Sequence, residues 1–149
     1  MMNLKKVKLP QNAAFKAIPN YLFQGTTNLE TVIIPGNVTT IGQQAFWRSG
    51  IKNLTIPASV TEIQKQAFYE SKIETLVIEA GSKLTTIGEH AFNGSSLKAI
   101  DIPNSLTSLG KEVFINCAQL EYVKLSDSLA EIPANTFQGC VALSEVVLP

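Results

Sequence analysis

One arginine, Arg48, and one histidine, His90, occur among the 149 residues, and the 12 basic residues are balanced by 12 acidic ones. With neither a net positive field nor a guanidinium cluster, nothing gathers or grips phosphates, and nucleic acid is excluded as a partner. The only two cysteines, Cys117 and Cys140, cannot build a four-ligand zinc site without further ligands, and none are spaced for it. No stretch has the length and apolarity needed to span a bilayer, and the start, Met1-Met2-Asn3-Leu4-Lys5-Lys6, lacks the apolar segment of a signal peptide. Glycine-rich phosphate loops and paired-carboxylate motifs are missing too, so no cofactor, metal or catalytic residue is expected. What the chain does have is apolar content, 45%, enough for a continuous core.

That apolar content is periodic. The frame beginning at Leu4 begins again at Leu29, Ile51, Ile73, Leu97 and Leu120, with a partial copy at Leu143, a period of roughly 22 to 25 residues and the range of leucine-rich repeats. Spacing inside the unit is tighter than the period. An apolar pair is always three apart, as in Val38/Ile41, Val60/Ile63 and Leu84/Ile87, and the step from its second member to an aromatic is always five, as in Ile41 to Phe46, Ile63 to Phe68 and Ile87 to Phe92. Length varies only elsewhere: two extra residues follow the first strand in the first and fourth copies, and one sometimes follows the aromatic.

Each position then has a physical role. The first segment alternates, so Val32 and Ile34 point inward while Thr31 and Ile33 point outward, as a strand demands. Stacked copies make a parallel sheet that Pro10, Pro35, Pro57, Pro103 and Pro149 close, with Glu79 and Ser126 as departures whose turns should be less fixed. A second short extended stretch carries the column Thr39, Thr61, Thr85, Thr107. The aromatic, the residue before it and the residue three after it share one side of a helical wheel, so a helical turn facing the core is expected there. No unit can bury its apolar face alone, so stability must come from stacking.

The pattern L-x-x-V-x-I-P-x-x-V-T-x-I-x-x-x-A-F-x-x-C resembles the BspA-like, or treponemal-type, leucine-rich repeat over essentially the whole chain. The expected fold class is an α/β repeat solenoid: a right-handed superhelix with a parallel concave sheet, short second strands and short helical turns outside. Residues 1–149 are expected to form one solenoid, a fragment of a longer array. The resemblance implies a cell-surface or secreted parent that adheres to host proteins or neighbouring cells, whose leader the chain as given lacks.

Several features invite chemistry. Cys117 and Cys140 stand three residues after the aromatic, where other copies carry Thr26, Ser49, Ser71 and Ser95. They read as small reduced core thiols, although stacked coils are close enough that distance does not forbid a disulfide. His90, beside Glu89 and tied to no nucleophile by any motif, reads as a solvated polar residue. Charges alternate after each repeat leucine, Lys5, Glu30, Lys52, Glu74, Lys98, Glu121, which reads as an ion-pair ladder supporting register or as coincidence. The sequons at Asn37, Asn53 and Asn93 are incidental three-residue matches.

Binding is the function left. The outward sheet columns are Lys6, Thr31, Asn53, Thr75, Ala99, Tyr122, Glu145 and Lys8, Ile33, Thr55, Val77, Asp101, Lys124, Val147. They suit a flat protein or glycan contact, with Tyr122, Asp101 and Lys124 as candidate residues, while a merely solvated sheet is the plainer reading. A rival site is the outer patch of Trp47 and Tyr69 with Arg48 and Glu70, which has hot-spot composition unless the rings only shield each other. A structural spacer or an engineered scaffold without a ligand is the alternative function. Self-association is expected through the edge strand at 143–148, which lacks the lysines that guard the other edge.

Overall fold

In the computed structural model, which describes residues 2–149, the repeats wind as coils of one solenoid. Its strands are β1 (Lys6–Val7), β2 (Ala17–Ile18), β3 (Thr31–Val32), β4 (Thr40–Ile41), β5 (Asn53–Ile56), β6 (Glu62–Ile63), β7 (Thr75–Ile78), β8 (Thr86–Ile87), β9 (Ala99–Asp101), β10 (Ser108–Leu109), β11 (Tyr122–Lys124) and β12 (Glu145–Val147). Every pairing is parallel and joins equivalent positions of neighbouring coils, Leu54 with Leu76 and Ile63 with Ile87, for example. On one side β5, β7, β9, β11 and β12 form a sheet, with β1 and β3 as a separate pair. On a second side β2, β4, β6, β8 and β10 form another. Here the threonine column adds a hydroxyl to each rung: Thr61 donates from both N–H and Oγ1 to the Thr39 carbonyl, and Thr85 likewise to Thr61.

The third side corrects one expectation. Among the described residues there is no helix. The residue two before each repeat aromatic has a left-handed backbone: Tyr21, Gln44, Gln66, His90, Glu112 and Asn135, with φ between 54° and 63°. So does the residue two after it, which is Gly25, Arg48, Glu70, Gly94, Asn116 or Gly139. A left-handed residue at every fourth position breaks a right-handed helix. Alternate N–H groups consequently turn along the stack: those of Gln44, Phe46 and Arg48 donate to the carbonyls of Lys65, Ala67 and Tyr69 in the next coil. The groups between them close local turns, Ala45 to Gly42 and Trp47 to Gln44. The inward faces are those of the helical wheel, with Ala45, Phe46 and Ser49 all buried, but a third inter-coil ladder takes the place of helical turns.

Inside, the phenyl rings pile into one column. Successive centroids from Phe23 through Phe46, Phe68, Phe92 and Phe114 to Phe137 lie 5.1–5.9 Å apart, and every pair but the first is nearly parallel. Aliphatic residues of the two strand columns fill the rest. Three of the closing prolines accept a turn bond, from Val38 to Pro35, Val60 to Pro57 and Leu106 to Pro103. The two departures are pinned rather than loose. Glu79 accepts the Ala58 N–H at 2.9 Å through its carboxylate, and buried Ser126 donates to the Leu106 carbonyl at 2.7 Å. Gly88 is required by close approach, since a Cβ there would stand 2.5 Å from the Lys65 nitrogen. Packing is incomplete at the two end coils: Leu4, Val7 and Phe15 of the first are only partly buried, and in the sixth Ile132 is 38% exposed, because the partial seventh coil covers its first strand and nothing beyond.

Candidate interaction surface

Alternation along the first strand sets which side chains form the outward face of this sheet, the face expected to be concave, and the outward residues of both columns are exposed, except Tyr122, which is half-buried. The sheet is interrupted within this face. β3 pairs with β1 and β5 with β7, but β3 and β5 share no ladder, although their coils are joined on the other two sides by β4 with β6 and by the turn ladder. A hollow of about 310 Å³ opens at the break, between Ile33 and Ile34 on one bank and Leu54, Thr55 and Val77 on the other. A second, of about 620 Å³, lies on the far side of Ile33 among Lys6, Lys8, Leu9 and Thr31. A third, of about 340 Å³, lies beyond Val77 against Ala99, Asp101 and Tyr122. Ile33, 72% exposed, and Val77, 49%, are thus apolar ridges between three hollows in file.

The candidates fall into two groups on different sides of the coils. Tyr122, Asp101 and Lys124 sit together on β9 and β11, with Lys124 in register with Asp101. Burial raises the Tyr122 phenol above its ordinary pKa, and the charges of Asp101 and Glu145 add to the shift. On the turn side Trp47 and Tyr69 meet edge to face at 5.6 Å, the Arg48 guanidinium carbon lies 6.0 Å from the indole centroid, and Arg48 pairs with Glu70 at 2.5 Å. Both rings are half-buried, and the indole N–H is covered without an acceptor among the described residues. This patch spends its aromatic surface on itself, which is the mutual shielding weighed against the hot-spot reading.

The remaining candidates are accounted for locally. His90 lies 3.2 Å from Glu89 and 3.5 Å from Glu112, and its Nδ1 lies 3.1 Å from the Asn93 amide nitrogen, which is a surface network without a nucleophile. Among the described residues no three His, Cys, Asp or Glu side chains converge to hold a metal ion. Both cysteines are free thiols, Cys117 donating to the Phe92 carbonyl and Cys140 to the Phe114 carbonyl, each at 2.9 Å. Burial pushes the Cys117 thiol up to about 12. Of the alternating charges, only Lys98 and Glu74 meet among the described residues, at 2.9 Å. That hydrogen bond, then the charge of Lys98, holds the Glu74 carboxyl below its ordinary range.

The sequence pattern described as BspA type Leucine rich repeat region matches residues 1–74 and 61–149, with six copies. The chain belongs to the BspA-type leucine-rich-repeat family. Among solved structures, the Treponema pallidum leucine-rich-repeat protein is 29% identical with a TM-score of 0.80, over 89% of this chain and 62% of its own. The pneumococcal vaccine antigen PcpA is 27% identical with a TM-score of 0.59, over 79% of this chain and 31% of its own. The chain therefore spans about three-fifths of the treponemal chain and a third of the pneumococcal one. No protein with a curated description matches.

Within this BspA-type array, Ile33 and Val77 stand out as candidate contact residues that sequence reasoning placed on the exposed face but did not single out. Their signal was present: aliphatic side chains at outward strand positions where neighbouring copies carry Thr55 and Asp101. The break between β3 and β5 left no signal in either segment.

Proposed function

We propose that this chain is a non-enzymatic binding module of a cell-surface or secreted BspA-type protein and that its concave face is the contact surface. One observation carries the choice of face. Ile33 and Val77 hold apolar surface in water beside hollows, whereas Trp47 and Tyr69 cover each other. Exposed aliphatic ridges on a rigid sheet are anchor points for a protein partner, since burying one recovers about 1.5–3 kcal/mol. The family resemblance supports a ligand on a host or neighbouring cell. A protein ligand is favoured over a glycan because the hollows are lined chiefly by aliphatic and threonine side chains.

The test compares the parent with Ile33→Asp, with Tyr122→Ala and with a Trp47→Ala/Tyr69→Ala pair, for binding to immobilised matrix proteins and intact cells. Loss with Ile33→Asp and retention in the outer-patch variant supports the reading. Equal binding by all of them points to a spacer, and loss confined to the outer patch moves the site to Trp47. Exposed Val147 and Leu148 favour a further contact between copies along β12. Sedimentation at rising concentration detects it, and a strict monomer removes it.

A further inference from the structure

The hollow at the break between β3 and β5 is lopsided in charge. Ile33, Ile34, Leu54, Pro57 and Val77 give it apolar walls, and Glu79 is the one charged residue that lines it. Lys6 and Lys8 line the neighbouring hollow across Ile33, and Asp101 lines the one beyond Val77. Glu79 stands at the strand-closing position, where other copies carry proline or Ser126. Its carboxylate is fixed in place, because Oε2 accepts the Ala58 N–H at 2.9 Å. Among the described residues no cationic side chain pairs with it, which leaves Oε1 for a ligand. The hollow is therefore an apolar recess of about 310 Å³ with one anchored negative charge at its rim.

We propose, resting on the contact-surface reading above, that this hollow receives one lysine side chain of a partner protein. The four-carbon stem lies against Ile33 and Val77, and the ammonium, still open to water at the rim, meets the free oxygen of Glu79. Lysine is favoured over arginine by the state of the carboxylate. A guanidinium pairs best with both oxygens at once, and here Ala58 already holds one of them, whereas an ammonium is a point charge that needs only one. A carboxylate already fixed by the backbone also loses less freedom on binding than a swinging one. An ion pair this open to water adds little affinity, so the aliphatic contact holds the side chain and Glu79 selects its charge.

The probe is an end-blocked tripeptide, Val-Lys-Val, titrated at millimolar concentration into the isotope-labelled chain while amide shifts are followed. Shifts should centre on Ile33, Val77 and the Ala58 amide that Glu79 holds. Norleucine in place of the lysine keeps the stem and drops the charge, and should weaken binding about threefold; glutamate should weaken it about tenfold. Glu79→Gln still offers an oxygen to Ala58. It should weaken the lysine peptide about threefold and leave the norleucine peptide unchanged, a difference that general damage to the fold does not produce. If the variant is destabilised, the lysine and norleucine peptides compared on the parent chain decide alone. No binding, indifference to the central side chain, tighter binding of an arginine peptide, or equal loss of both peptides in Glu79→Gln would each overturn the proposal. So would the same shifts from 1,5-diaminopentane with none from the peptide. Shifts centred on Tyr122 and Lys124 overturn the hollow while leaving the sheet face standing. Shifts confined to Trp47 and Tyr69 overturn both.

Discussion

At the residue scale, the position three after each aromatic shows how strongly one site is constrained. Thr26, Ser49, Ser71, Ser95 and Cys117 are all buried there beneath the phenyl column, and only small side chains fit. Cys117 is held as a neutral thiol, its folded pKa of about 12 lying well above the ordinary thiol value of about 8.5. A pKa raised on folding contributes stability that is fully present below the unfolded value and is lost as pH climbs from there toward the folded one. Alkaline conditions above about pH 8.5 should therefore lower the urea midpoint, and Cys117→Ser should reduce that sensitivity. Thiol labelling at neutral pH should reach half-exposed Cys140 first and Cys117 only with unfolding. Equal labelling rates in the native chain would place Cys117 outside the core. This column was legible in the sequence, because Thr, Ser and Cys recur there and larger residues do not.

At the element scale, three ladders hold the coils, and the one on the turn side was not legible. Nine of its twelve left-handed positions carry a side chain, Tyr21, Gln44, Gln66, Glu112 and Asn116 among them, and only three carry glycine, so composition does not mark them. The aromatic's spacing fits a helix and this turn equally well, since both put Ala67, Phe68 and Ser71 on the inner side. Backbone strain and inter-coil hydrogen bonding decide between them. A left-handed residue with a side chain costs roughly 1–2 kcal/mol, which the bonds to the next coil offset. Glu112→Gly should consequently leave the unfolding free energy unchanged or raise it by up to about 1 kcal/mol. Val113→Gly, one residue on and fully buried, should lose at least about 2 kcal/mol. Equal losses from the two would mean that the turn is helical after all. Far-ultraviolet circular dichroism should correspondingly lack the double minimum of α-helix.

At the scale of the whole molecule, period, inward faces and the two exposed sheet columns follow from spacing alone, because stacking like coils allows one arrangement of those faces. The functional topography does not. Whether neighbouring strands close up or part, as β3 and β5 do, depends on the fit of two whole coils, and no residue of either announces it. The charge series shows the same limit: alternation along the sequence is perfect through six copies, yet side-chain reach closes only Lys98 on Glu74 among the described residues. Stability rests on the shared interior and the proposed binding on what the outward sheet face leaves in water, so the two should separate on mutation. The most direct check is urea unfolding of Phe68→Ala beside Lys65→Ala and Ile33→Asp. The stacked phenyl column predicts a loss of about 3–5 kcal/mol for Phe68→Ala and changes within about 0.5 kcal/mol for the two exposed sites. Indistinguishable midpoints for all three would contradict a common interior built on that column.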